Sequence, residues 1–566
     1  MRRIGIVGAG QSGAQLALGL LARGYDVTLV TDRSPDEVRT GPVMSSQCMF
    51  GTALQTERDL GLDDWAESCP AITGIGLTMG EVSWQSTLDA PAQSVDQRVK
   101  CASWMERFVK DGGDLVLRSA GVADLEDLAR THDLVVVASG KGELGRLFPP
   151  DPRNCRFDRP QRVLALTYVT GMRPTDEPVV SFTIAPGVGE YFTFPALTTS
   201  GHCDIMVFEG VPGGPMDCWD DVRTPADHLA RSLDLLRQHF PAEYSRCQDV
   251  QLTDDGGVLR GRLTPTVRKP VATLPSGATV LGMADAIVLN DPITGQGSNN
   301  AAKSAAYYLD SIVARGDADF DAAWMQRTFD NFWRGWAQWV VSWTNSLLEP
   351  PKPHVVRLLT EASDTPELAR AIVNGFDDPR TFYRWWFDDE EADRFIAEQQ
   401  AAGQARFDPR DYRSALGQYA TGVTVITARG PDGRKIGVTA NSFASVSLDP
   451  PLVSWCPAKR APSLPALESA THFAVNVLAS DQHHLSRQFA TPAPDKFEGV
   501  ALAEGVAGLP LIEGAVARFQ CRTVNRYDAG DHVIFLGEVE RYDANGGAPL
   551  VFYSGNYHLA TKHPDL

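Results

Sequence analysis

The chain is short of basic residues, paired cysteines and long apolar runs, and each shortage closes off a class of function. Lys and Arg number 52 against 71 Asp and Glu, a formal net charge of −19. A surface that acidic argues against nucleic acid or anionic lipid as the main partner, because both are gripped by cationic patches. The nine cysteines (48, 69, 101, 155, 203, 218, 247, 456 and 521) are odd in number, scattered, and form no CxxC pair. That usage excludes a zinc-ligand spacing and fits reduced thiols in a cytoplasmic protein. No window reaches the roughly 18 uninterrupted apolar residues of a membrane helix. The apolar stretch after Arg2 and Arg3 is broken by Gln11, Ser12 and Gln15, so it reads as a fold element and not as a signal peptide. No metal site is expected either: His483 and His484 are adjacent, diverge around a helix, and have no acidic or cysteine partner close by.

What is present is enough apolar sequence, 43% of 566 residues, to bury several cores. At about 150 residues per domain the length predicts three to four domains or subdomains. Short β-branched runs at 4–7, 27–31 and 134–138 alternate with helical stretches, as in a parallel sheet covered on both faces. Runs at 163–170, 179–184, 191–194 and 204–208 sit between Gly/Pro turns and predict an antiparallel sheet. Residues 280–289 read as one buried strand, 301–314 as a helix, and 388–400 as an acidic helix. Residues 321–348 read as a tryptophan-rich packing helix, with Trp336, Trp339 and Trp343 at i, i+3, i+7 on one apolar face. The small and polar residues 401–408 predict a linker, and the remainder to 566 consists mostly of short strands at the spacing of an antiparallel barrel.

The densest chemical signal is Gly8-Ala9-Gly10-Gln11-Ser12-Gly13, between a strand and a helix. Gly8 permits the tight turn, Gly10 lets backbone approach a pyrophosphate, and Gly13 allows close helix–strand packing. The helix N-terminus adds free N–H groups and a positive dipole end. The carboxylate that normally ends strand two is displaced: Thr31 stands there with Asp32 beside it, which predicts a weak ribose grip. A second match, residues 140–145, runs into Pro149-Pro150 and cannot continue as another βαβ unit, so no separate NAD domain is expected. Downstream, Asp285 follows a strand, where a carboxylate can accept ribityl hydroxyls. Pro292, Gly295, Gln296, Gly297 and Asn299 then lead into a helix whose N–H groups could face the flavin pyrimidine.

Together these motifs resemble the flavoprotein monooxygenases, and in detail the styrene and indole monooxygenases, over about residues 1–400. The carrying segments are IGIVGAG, VTLVTDRSPDE, DLVVVASGKGELG, PQRVLAL and DPITGQGSNNA. Ser45, Gln47 and Met49 alternate by two and, with Ile72 and Ile75, resemble the indole-type substrate pocket. From about 407 onward ALGQYATGVTVIT, GVTANSFASVSLDPPLVSWC, FAVNVL, GDHVIFLGEV and PLVFYSGNYH resemble the split-barrel flavin reductases. That resemblance implies a flavin cradle at Thr439, Asn441, Ser442, Ser445 and Ser447, a phosphate contact at Lys459, and His532 and Tyr557 near the nicotinamide of NADH.

The implied fold is α/β plus β. A Rossmann-like FAD-binding part (1–150 and 277–320), a substrate-binding sheet (151–276) and a helical part (321–400) precede the linker and a reductase split barrel (409–566). The implied function is a self-sufficient monooxygenase. NADH reduces FAD in the barrel, and reduced FAD with O2 forms a C4a-hydroperoxide that epoxidises styrene or indole in the first domain. The implied assembly is a homodimer through the reductase. The alternative is mainly a reductase supplying reduced FAD to a separate oxygenase.

Overall fold

The computed structural model describes residues 2–140, 142–404, 409–430, 433–491, 493 and 495–561. It divides into two compact units, Met1–Ala405 and Arg406–Leu566.

In the first unit, β-branched runs buried on both faces build a six-stranded sheet. Its order is Val271–Thr273, Thr279–Gly282, Leu134–Val137, Arg3–Val7, Asp26–Thr31 and Asp114–Leu117. All pairings are parallel except the edge pair 271–273 with 279–282. Val7 stands opposite both Val30 and Val137, which sets the ends of strands 3–7 and 134–137, each followed by a glycine motif, beside the end of strand 26–31. Helices Gln11–Leu21 and Gln296–Arg315 cover this sheet with Leu16, Ala17, Leu20, Tyr308 and Ile312, all buried.

A second, eight-stranded sheet contains 163–170, 201–210, 189–198 and 179–185 in antiparallel register, with Phe208 opposite Ala165 and Tyr191. Strands Ala71–Met79 and Val82–Gln93 extend it, and 71–79 pairs with 179–185 in parallel. Residues 71–93, within the span 1–150 expected to form the FAD-binding part, therefore belong to the second sheet. Local sequence specifies a strand, not which sheet receives it. One face of this sheet packs on the C-terminal helices of the unit through Ile72, Phe192, Phe194, Trp343, Phe382 and Trp386.

Two helical expectations change. The tryptophan-rich stretch is helix Ala322–Phe332, a π-helical turn Trp333–Ala337 and helix Gln338–Leu347. The wider turn breaks the single stripe: Trp336 and Trp343 are buried, while Trp339 is half-buried against the exposed Tyr383. The final helix runs Asp389–Gln404, into the first half of the segment read as a linker; 405–408 lie outside the described residues. The expected strand 280–289 is also interrupted. It stops at Gly282, gives a 3-10 turn at Ala284–Ala286, and resumes at Val288–Leu289, which pairs with 266–267.

The second unit is an antiparallel seven-stranded sheet ordered 435–440, 424–429, 472–477, 517–529, 532–544, 451–455, 444–448. Its two edge strands are neighbours in the chain, the connectivity of a split barrel. Ile426, Trp455, Phe473, Val475 and Phe535 fill it. The polar side chain of Asn476 is wholly buried there. Its amide donates to the Val425 carbonyl and Thr427 Oγ1, and its Oδ1 accepts the Ile512 N–H at 2.9 Å. Asn476→Leu removes that acceptor from a buried N–H and should cost about 1–3 kcal/mol. Urea unfolding should show the C-terminal unit melting earlier and the N-terminal unit unchanged; an unmoved C-terminal transition would contradict the assignment.

Candidate functional site

Two helix N-termini form the first candidate site. Helices Gln11–Leu21 and Gln296–Arg315 touch at Gln15 with Ala302 and again at Gly19 with Leu309. Contacts that advance together along both chains mean the helices run parallel, so their positive ends lie at the same end of the pair. The glycines there differ in what surrounds them. Gly8 has φ +111 and packs on the backbone of Ala138 and Ser139. A Cβ on Gly13 would lie 1.8 Å from the Gly8 carbonyl. Gly10 and Gly297, by contrast, have nothing within 4 Å of where a Cβ would stand apart from their own chain neighbours and helix backbone. Open space beside two helix N-termini fits the phosphates of a dinucleotide such as FAD.

The neighbouring residues hold this geometry. Asp291 accepts the Ile293 N–H and opens the turn Pro292–Thr294, and Gly295 closes it at φ +65. Gln296 is buried and donates to the Phe376 carbonyl at 2.7 Å. Asn299 donates to the Cys48 and Gly295 carbonyls and accepts the Phe50 N–H at 2.9 Å, so its amide stitches 48–50 to the helix. Burial pushes the Cys48 thiol up to about 12, which keeps it protonated at neutral pH.

Asp32 stands just past strand two, solvent-exposed, with Arg33 at 3.7 Å. Asp285 is exposed on the turn after strand 279–282, and its carbonyl contacts Gly140. The 140–145 motif closes on itself, since a Cβ on Gly145 would lie 2.4 Å from the Gly140 carbonyl. Its helix has only five residues, Gly142–Arg146.

Residues 45–49 cross beside the second sheet. The Ser45 carbonyl accepts the Tyr168 hydroxyl. Gln47 is buried, and neither its amide nitrogen nor its oxygen has a partner. Met49 is wholly buried against Ala53, Leu54 and Ala302, with Lys100 Nζ 3.0 Å from its sulfur. Ile72 and Ile75 are buried in the cluster that also holds Phe50, Ile293 and Trp343.

Sequence reasoning missed Glu57 and Lys100, an ion pair of 2.7 Å with both partners buried. Gln11 of the glycine motif donates to the same carboxylate at 2.8 Å, and Lys100 lies over the rings of Trp65 and Trp104. The signal was a lysine on the inward face of an amphipathic helix, Gln97–Lys110.

In the second unit, Thr439 donates to the Ser486 carbonyl at 2.6 Å, and Ser486 shares a hydrogen bond of 2.9 Å with the Tyr557 hydroxyl. Ser442 exchanges hydrogen bonds with the main chain of Cys456. Asn441 and Ser445 are exposed, and a bulge separates Ser445 from Ser447 on the edge strand. Lys459 is ion-paired with Asp528 and lines a recess of about 420 Å³ with Arg526, Tyr527 and Val533. His532 begins the next strand beside it, with Nδ1 2.7 Å from Asp531, whose carboxyl that bond holds below its usual range. The structure thus joins Thr439 to Tyr557, and Lys459 to His532 through the Ala458–His532 bridge.

Comparisons with known proteins divide the chain at the same place. Residues 416–561 match the family described as "Flavin reductase like domain". The FMN reductase (NADH) SmoA of Agrobacterium fabrum is 50% identical over 148 residues, 26% of this chain and 84% of its own. The chain belongs to the flavin reductase family. That membership rests on its C-terminal unit. Ahead of the flavin reductase domain, residues 140–246 match "Styrene monooxygenase A putative substrate binding domain", and 3–41 match "NADP oxidoreductase coenzyme F420-dependent". The styrene monooxygenase StyA of Pseudomonas fluorescens is 29% identical over 394 residues, 67% of this chain and 93% of its own. The N-terminal unit of this flavin reductase family member is thus a styrene monooxygenase-like oxygenase, and FAD and NADH are the cofactors of the combination. Among the described residues no helix is long and apolar enough to cross a membrane.

Gly10→Ala and Gly13→Ala separate binding from packing. Gly10→Ala should leave stability within about 0.5 kcal/mol yet weaken reduced-FAD binding, since nothing in the protein crowds the added methyl and a phosphate on the helix N-terminus would. Gly13→Ala should impair both. Equal reduced-FAD affinity in Gly10→Ala and wild type, measured by anaerobic titration, would remove the pyrophosphate from this turn.

Proposed function

We propose that this chain is a self-sufficient flavin monooxygenase: its C-terminal unit reduces FAD with NADH, and its N-terminal unit uses the reduced FAD and O2 to epoxidise indole or styrene. The observation that carries this reading is that the oxygenase and reductase likenesses occupy separate stretches of one polypeptide. The balance is one substrate, one O2, one NADH and one proton giving epoxide, water and NAD⁺. Bound reduced flavin supplies the oxygen-activating chemistry, and the chain supplies binding, orientation and a dry pocket.

In the N-terminal unit, Gly8, Gly10 and Gly13 would admit the pyrophosphate, Asp285 the ribityl chain, and the 292–299 turn the pyrimidine edge. Asp32 faces water, which supports a loose ribose grip and a carrier that enters and leaves. In the C-terminal unit, Thr439, Asn441, Ser442, Ser445 and Ser447 would cradle the flavin, with Lys459 exchanging Asp528 for a phosphate. His532, oriented by Asp531, and Tyr557 would border the nicotinamide. The exposed Val446 and Leu448 on the edge strand support a homodimer through this unit.

Gln47 supports indole over styrene. A buried amide with two unpaired atoms gains from a substrate N–H and loses beside a hydrocarbon, a difference of about 1–3 kcal/mol. The lower identity of the oxygenase stretch keeps a second reading in view, a reductase that mainly supplies another oxygenase. Purified protein given NADH, FAD and indole or styrene should yield oxygenated product without any added oxygenase. Gln47→Leu should lower kcat/KM for indole about tenfold and spare styrene. No product unless an oxygenase is added would establish the second reading, and an equal loss on both substrates would take Gln47 out of the pocket.

A further inference from the structure

Three carboxylates and one arginine are buried together behind the glycine-rich turn. Glu209 lies on strand Gly201–Gly210 and Asp291 opens the turn; both are wholly buried. Arg162 grips Glu190 in two hydrogen bonds of 2.7 and 2.9 Å and donates to the Leu347 and Leu348 carbonyls. Its fork is therefore occupied. Neither oxygen of Glu209 has a donor, and Asp291 has one, the Ile293 N–H, leaving its other oxygen unserved. The Glu209 and Asp291 side chains nevertheless contact each other at hydrogen-bonding range.

Two ionised carboxylates have no hydrogen to share. Fully ionised, the cluster carries three negative charges and one positive charge away from water. Among the described residues no group of three or more acidic, histidine or cysteine side chains is placed to answer this with a metal ion. A single proton does: it turns one acid into a donor, meets an unserved oxygen on each side and removes one charge.

We propose that Glu209 is a positioning residue which shares one proton with Asp291, and that this bond pins the 290–295 turn presenting helix Gln296–Arg315 to the flavin. The consequence for flavin rests on reading that turn as flavin-facing. Burial and then the neighbouring Asp291 and Glu190 push Glu209 well above the usual carboxylate range, and burial pushes Asp291 up as well. The charged groups facing the pair are Arg162, just ahead of strand 163–170, and Glu190 on strand 189–198. From the helix above, Thr344 meets Thr294 of the turn at 2.7 Å and carries no charge. Because the folded state holds a proton that an unfolded carboxylate releases near pH 4, the pin is present at low pH. It is lost as pH rises through the raised ionisation of the pair.

The test is hydrogen–deuterium exchange of residues 290–300 in the full-length protein without flavin, across a pH series, in wild type, Glu209→Gln and Glu209→Leu. Comparison at equal pH cancels the chemical exchange rate. The glutamine keeps a donor for Asp291 that does not titrate, so its protection should persist. Wild-type protection should fall relative to it by up to tenfold per pH unit above the ionisation. Glu209→Leu should show at least tenfold less protection than Glu209→Gln at every pH. Parallel decline in wild type and Glu209→Gln would overturn the shared proton. If Glu209→Leu does not fold, that comparison alone carries the test. Reduced-FAD titration of the same variants separates the two readings: altered exchange with unaltered affinity keeps the pair and refutes the flavin-facing turn.

Discussion

The close parallel packing of helices Gln11–Leu21 and Gln296–Arg315 is the constraint on which the N-terminal unit depends. A Cβ on Gly19 would stand 2.6 Å from Leu309, so the two axes approach only because that position carries no side chain. Ala14 and Ala17 on one helix and Ala301, Ala302 and Ala305 on the other keep the contact narrow. Helix Gln11–Leu21 directly follows strand 3–7 of the six-stranded sheet. Helix Gln296–Arg315 comes after strand 279–282 of the same sheet by way of the short strand 288–289, and the two dipoles add at the same end. Segments about 285 residues apart thereby bring two positive helix ends to one edge. Asn299 then carries that edge to residues 48–50, and Gln296 carries it to Phe376.

Much of this was legible because it is written in local backbone demands. The glycine motif, the strand before it and the helix after it follow from turn geometry and periodicity, and so did the antiparallel character of the second unit. What was not legible depends on partners remote in sequence. Residues 71–93 fall within the span 1–150 expected to be FAD-binding, but their sheet is chosen by a parallel register with 179–185 that no local pattern encodes. The tryptophan stripe failed at a π-helical turn, where a single added residue rotates everything after it. Glu57, Lys100, Glu209 and Asp291 were overlooked as site residues because a buried charge is recognised by its partner. A glutamate ending the apolar run of strand 201–210 was the visible hint.

The two units also differ in how they treat charge. The oxygenase unit buries its ionisable groups in pairs, Lys100 with Glu57 and Arg162 with Glu190, and closes them against apolar walls. The reductase unit leaves His532, Asp531, Lys459 and Asp528 near the surface. Such a contrast suits the chemistry assigned to each. Hydride exchange needs two cofactors to enter and depart, whereas an activated oxygen must be kept from water until substrate is reached.

The central claim is a division of labour, with electrons entering in one unit and oxygen used in the other. It is tested most directly by His532→Ala in the full-length chain. NADH-driven flavin reduction should fall about 10²-fold, while chemically reduced FAD supplied under air should restore indole oxygenation to the wild-type level. Oxygenation that stays lost despite supplied reduced FAD would contradict the account.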